Sequence, residues 1–276
     1  LSANTTADNN TAIGQGSMFL NETGAENTAV GKSSLDANTT GGNNTAVGAN
    51  ALGSNTTAIN NTAVGSRALL TTTTGGGNVA VGHDSLENNT ASNNTSVGSE
   101  SMKANTSGTQ NTAVGSVALD ANTTANNNTA IGYNSLGANS TGVQNTAVGT
   151  ISLDANTTAN NNTAVGFGAL TENTTGTQNS VVGASALDAN TTGNYNVAFG
   201  TSALTNNTTG SNNVALGRNC LFANTTASSN TAIGASTMNS NTTGTSNTAV
   251  GLIAMGANTT GSYNVAIGQN ALDTCP

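Results

Sequence analysis

Residues 111–127 read N-T-A-V-G-S-V-A-L-D-A-N-T-T-A-N-N, and residues 128–144 read N-T-A-I-G-Y-N-S-L-G-A-N-S-T-G-V-Q: one seventeen-residue phrase written twice. The same phrase runs outward in both directions. Its glycine recurs at Gly14, Gly31, Gly48, Gly65, Gly82, Gly98, Gly115, Gly132, Gly149, Gly166, Gly183, Gly200, Gly217, Gly234, Gly251 and Gly268, sixteen copies in all. Every interval is 17 residues except Gly82 to Gly98, which is 16, so the array carries a single deletion. With the leading Asn as position 1, the consensus is N-T-A-V-G-x-x-A-L-x-A-N-T-T-G-x-x.

The period decides the fold class. Helical hairpin repeats need about 33 residues or more, and this unit is half that. T-A-V is β-prone and ends at an invariant Gly, while Asn and Gly are turn formers. The spacing therefore predicts an all-β parallel β-solenoid of about 16 coils, each strand bonded to its copies above and below. At about 4.8 Å per coil the array would measure roughly 75–80 Å. Residues 1–276 read as one continuous repeat array. Both ends cut the repeat mid-coil, which suggests a segment of a longer chain or one that abuts other copies. Recurrence of Gln110, Gln144 and Gln178 at one repeat position points to growth by coil pairs.

Position 4 is always apolar, and position 9 is Leu or Met from Met18 to Leu272. Exchange of Thr for Val at position 2 (Val79, Val197, Val214, Val265) reads as a buried site, so period-2 alternation puts positions 2 and 4 inside and position 3 outside. On that reading the small residues at position 3 (Ala113, Ala147, Ala164) form either a flat packing face or a crowded turn. The structural set is expected to be Asn44, Val47, Gly48 and Leu52, with Asn111, Val114, Gly115, Leu119, Asn162, Val165, Gly166 and Leu170. Asn at positions 1 and 12 should stack as amide ladders. Inward amides could carry no glycan, so the many N-x-T sequons read as by-products of the repeat.

Composition narrows the chemistry. Only 6% of residues are charged, and one His, no Trp and two Cys leave little material for a catalytic centre or a metal site. We expect no enzyme, no cofactor and no metal. Twelve acidic against four basic residues argue against nucleic acid as a partner. No apolar run approaches the roughly 18–20 residues that span a bilayer, so no membrane insertion is expected. Leu, Ile, Val and Phe make up only 45 of the 276 residues, so any core must be thin and regular.

Cys220 and Cys275 lie three coils apart, about 14 Å, too far for a bridge. Cys220 reads as a small packed residue and Cys275 as a candidate for an intermolecular disulfide. Asp36, Asp120, Asp154, Asp188 and Asp273 share position 10 but several fall on alternate coils, too far apart to share calcium, so they read as solvent charges. His83 beside Asp84 reads as a surface residue. Recurrent Thr raises an ice-binding face, but positions 13 and 14 cannot both point outward and position 2 looks buried.

The string N-T-A-V-G-x-x-A-L-x-x-N-T-T-G resembles the Asn/Thr/Gly-rich repeats of bacterial surface and phage tail-fibre-type proteins. Its core is similar to the N-S-V-A-I-G motif of YadA-like heads of trimeric autotransporter adhesins. That resemblance places V-A-I-G on Thr28, Ala29, Val30 and Gly31, and again on Val265, Ala266, Ile267 and Gly268, with the first and third of each inward. Such heads have shorter coils and act as trimers on a stalk. The resemblance implies an extracellular, cell-surface or virion rod that binds copies of itself, a host surface or a glycan. The competing expectation is a monomeric ice-binding solenoid.

Overall fold

A computed structural model describes residues 3–273. The chain forms two compact units, residues 1–141 and 142–276. In the first, eight three-residue strands from β1 (Thr11–Ile13) to β8 (Thr129–Ile131) pair in parallel in chain order. In the second, β9 (Thr146–Val148) to β16 (Val265–Ile267) do the same. Register is strict: Thr28, Ala29 and Val30 align with Thr45, Ala46 and Val47. Each repeat is one coil of a parallel β-solenoid, and no helix occurs among the described residues.

The strands supply only part of the pairing. Outside them, Asn50 N–H donates to Lys32 O, Leu35 N–H to Ala51 O, Ala37 N–H to Gly53 O and Thr39 N–H to Thr56 O, at 2.9–3.2 Å. The corners are thus hydrogen-bonded coil to coil as the strands are, which satisfies a backbone that a thin interior would otherwise leave bare. Such stacking needs a chain that reverses direction within two or three residues, and left-handed backbone provides it. Positions 7, 9 and 17 adopt φ near +50° to +60° even where they are not glycine, as at Asn50, Leu52 and Asn43. Position 5 is more extreme: Gly115 lies at φ +142°, and a Cβ there would sit 2.3 Å from Gly132 O. Only glycine fits both conditions.

The interior is built from small side chains around one large one. Leu or Met at position 9 is fully buried in the inner coils (Leu52, Leu119 and Leu170 all 0% exposed), and the 0% class also holds Ala46, Ala113, Ala147 and Ala164 at position 3. This reverses the expected facing. Position 3 points inward, and positions 2 and 4 point outward, so Val47 and Val165 are half-exposed and Val114 is exposed. The proposed packing face of Ala113, Ala147 and Ala164 is therefore core, as are the equivalents of the resemblance motif's middle residue, Ala29 and Ala266. The reason is space: opposite a buried leucine and flanked by buried Asn, the strand favours a small side chain, Ala in most coils and Ser96 in one, with Val181 the single larger residue taken into the core. Thr and Val exchange at position 2 because both are β-branched and suit a half-covered sheet surface.

Two amide ladders complete the core. At position 1, the Asn44 backbone N–H donates to Asn27 Oδ1 at 2.9 Å and its Nδ2 donates to Ala58 O at 2.8 Å. At position 12, Asn38 Nδ2 donates to Asn21 Oδ1 at 2.6 Å and to Gly41 O at 2.9 Å. Across the 16-residue coil, which lacks the second Thr of the consensus, Asn89 Nδ2 still reaches Ala91 O at 2.8 Å.

The position-12 ladder breaks once in the first unit. Thr72 stands where Asn would, and its hydroxyl donates to Asn89 O at 2.7 Å. Asn55 Oδ1, which would receive the missing amide, is buried without a hydrogen-bond partner. Thr72→Asn should supply that donor in a space shaped for Asn in the neighbouring coils. We expect a gain of about 1 kcal/mol, read as a higher midpoint in urea unfolding. An unchanged midpoint would mean that Asn55 Oδ1 is solvated by other means.

Candidate interaction face

With Ala turned inward, the outer face of each sheet is a rank of Thr or Val, once Ser180, at position 2 beside a rank of Val, Ile, Leu or Phe at position 4. In the first unit Val64, Val97, Val114 and Ile131 are 36–39% exposed, and in the second Phe199 reaches 44%. No position 2 or 4 in the array carries a charge, although the chain's formal net charge is −8. An uncharged, partly apolar rank repeated coil after coil on an acidic chain makes this face a candidate interaction surface. Two further ranks are polar and exposed: Thr or Ser at position 14, such as Thr40, Thr57 and Ser107, and Asn or Gln at position 17, such as Asn43, Asn60 and Gln110.

Charge concentrates elsewhere. Arg67 and Asp84 both occupy position 7, and Glu87 and Lys103 both occupy position 10, so stacking brings them together across the short coil, to which Asp84 and Glu87 belong. Arg67 Nε donates to Asp84 Oδ1 at 2.7 Å and Lys103 Nζ to Asp84 Oδ2 at 3.0 Å, while Glu87 and Glu100 lie 3.8 and 3.7 Å from Lys103 Nζ. Sequence reading missed this cluster, although identical repeat positions one coil apart, 17 residues for Arg67 and Asp84 and 16 for Glu87 and Lys103, were the available signal. Asp84 is 1% exposed, whereas His83, 3.4 Å from it, is 53% exposed as expected.

Burial pushes the Asp84 carboxyl up. The hydrogen bonds from Lys103 and Arg67, with the charges of Lys103 and His83, outweigh that and hold it below the usual carboxylate range. A carboxyl whose folded value is depressed contributes stability that is full above its unfolded value, about 3.9, and is lost as pH falls through the folded one. We therefore expect the melting temperature to fall on acidification below about pH 4. Asp84→Asn should melt lower at pH 7 and lose less on acidification. Equal acid sensitivity in the two chains would remove Asp84 from the account.

The remaining candidates are dispersed. Cys220 is fully buried, with Sγ 3.2 Å from Ala232 O, and burial pushes its thiol up to about 12, so it is an unreactive packed residue. Cys275 lies outside the described residues. Asp36, Asp120, Asp154, Asp188 and Asp273 are half-exposed. Among the described residues no group of three or more His, Cys, Asp or Glu is placed to hold a metal ion, and no helix is long and apolar enough to cross a membrane. Compared with known proteins, the chain matches no family model and no curated sequence. The fold therefore defines its class, a seventeen-residue-repeat parallel β-solenoid.

Proposed function

We propose that this chain is a non-catalytic structural module of an extracellular fibre or adhesin rod, carried on a cell surface or virion, which works by associating with copies of itself. The observation that carries the reading is the uncharged Thr/Val face described above. Ladders along each unit make it stiff, and the strand faces supply an apolar contact that water disfavours. Variable positions 6, 7, 16 and 17 would face a host surface or glycan. The test is the mass in solution by light scattering, against 26.8 kDa for one chain. We expect a multiple of that mass. Val97→Asp with Ile131→Asp, two coils apart so that the new charges do not stack, should return it to one chain with an unchanged circular dichroism spectrum. A single-chain mass for the unaltered protein at all concentrations would overturn the reading.

One observation supports a second reading. The objection that position 2 is buried has gone, because Thr28, Thr45 and Thr62 lie half-exposed in consecutive coils. A flat rank of hydroxyls and methyls is suited to ordered water. Thermal hysteresis in a single-chain solution, abolished by Thr45→Lys, would replace assembly with ice binding.

A further inference from the structure

Sequons occur in two main registers of the repeat, and the fold treats them oppositely. Those that start at position 12 in the inner coils, such as Asn38-Thr39-Thr40 and Asn122-Thr123-Thr124, place their Asn in the buried ladder, at 0% exposure, and only the end coils leave Asn4 exposed and Asn258 half-exposed. A carboxamide hydrogen-bonded to its copies above and below can accept nothing. Those that start at position 17 read N-N-T, and their first Asn is exposed: Asn9, Asn43, Asn60, Asn93, Asn127 and Asn161.

We propose that these six Asn are glycan acceptors in the folded chain. Each sits at a corner with φ between 58° and 62°, a left-handed conformation that Asn tolerates better than most residues. The backbone there is fixed, since Asn43 N–H donates to Ala25 O at 3.0 Å and Asn127 N–H to Thr109 O at 3.2 Å. The carboxamides of Asn43, Asn60, Asn127 and Asn161 make no hydrogen bond among the described residues. Two other sequon Asn are tied: Asn88 Nδ2 donates to Lys103 O at 3.0 Å and Asn206 Nδ2 to Phe222 O at 2.9 Å. The sequon hydroxyl two residues on, at position 2, lies on the outward strand face, so both groups a transferase must reach are open together.

The ligand class is an activated sugar, a glycosyl phosphate or diphosphate donor. Its C1–O bond to phosphate breaks with the electron pair leaving on phosphate, Asn Nδ2 bonds to C1, and one carboxamide proton is released. Spacing suits the product. Gln110 separates Asn93 from Asn127, leaving about 9.6 Å between acceptors. Asn43 and Asn60 are on adjacent coils, about 4.8 Å apart, a gap that one sugar ring already fills. The acceptor Asn at position 17 flanks the strand face, but the sequon hydroxyl at position 2 lies on it, so transfer would precede any assembly through that face.

Glycopeptide mapping of the chain isolated from its source tests it. We expect sugar at position 17, never at Asn43 and Asn60 on the same molecule, and bare Asn38, Asn55 and Asn122. In vitro, the folded chain given a sequon-specific N-glycosyltransferase and a nucleotide-activated hexose should gain hexose at the same sites. Asn127→Gln should remove one increment without moving the melting temperature. A source-derived chain bare at all six sites overturns the proposal, as does sugar on a buried position-12 Asn such as Asn38, Asn55 or Asn122. So does a folded chain left unmodified under conditions where the urea-unfolded chain is modified.

Discussion

Gly115→Val is expected to cost the first unit at least about 3 kcal/mol and to remove its cooperative melting transition near physiological temperature. Two independent effects add. At φ +142° the backbone lies where a β-branched residue is a severe outlier. A Cβ would also stand 2.3 Å from Gly132 O and 2.6 Å from Gly132 C, which are backbone atoms of the next coil and cannot swing aside. The strand Thr112–Val114 would have to lift away from Thr129–Ile131, which breaks the ladder that holds both. Gly53→Ala is the control. Gly53 sits at position 10, has no positive φ, and its new methyl would meet Asn50 O and Leu70 Cδ1, each at 3.3 Å, a full ångström farther than the clash at Gly115 and relieved by a shift of a few tenths of an ångström. That variant should melt within a few degrees of the unaltered protein. Circular dichroism melts of the two variants decide the matter, and equal losses would refute a special role for position 5.

The contrast between these glycines measures what sequence could reveal. The invariance of position 5 was legible at once, and so were the period, the solenoid class and the burial of Leu52, Leu119 and the Asn ladders, because sixteen copies must solve one packing problem. The direction in which T-A-V faces was not. A Thr-to-Val exchange reports a β-branched site, and such a site can be a buried wall or a half-covered surface; only the size of the interior distinguishes them. Nor could the backbone at Leu52 be read. Leucine at φ +50° runs against its own preference, at a cost of about 1–2 kcal/mol. It persists because that turn alone directs the side chain into the core while its N–H donates to Ala68 O at 3.0 Å. The charge cluster at Asp84 was written in the repeat positions, but the closing of Arg67 and Lys103 over its carboxylate from the coils on either side was not. The candidate face follows from the same inversion: it consists of the residues that the sequence pattern assigns to the core.

Removing one rung of the position-1 ladder should be the second largest effect. Asn111 links three coils. Its Nδ2 donates to Ala125 O at 2.8 Å, and its Oδ1 accepts the backbone N–H of Asn128 at 3.0 Å. Its own N–H donates to Asn94 Oδ1 at 3.0 Å, which substitution leaves in place. In Asn111→Ala, Ala125 O retains Asn122 Nδ2 at 3.2 Å. The Asn128 N–H loses the Oδ1 it donates to at 3.0 Å, in a residue that is 1% exposed. An orphaned buried donor costs about 1–3 kcal/mol, and the emptied space adds to it, so we expect a loss of about 2–4 kcal/mol in urea unfolding. Asn111→Asp separates the two roles. The carboxylate can still accept from Asn128 N–H, but it turns a donor into an acceptor facing Ala125 O and buries a charge. Its penalty should therefore exceed that of alanine at pH 7 and shrink as acid protonates it. If alanine and aspartate variants unfold alike at every pH, the amide's hydrogen bonds do not hold the coils together, and the stack must rest on Leu119 and its neighbours alone.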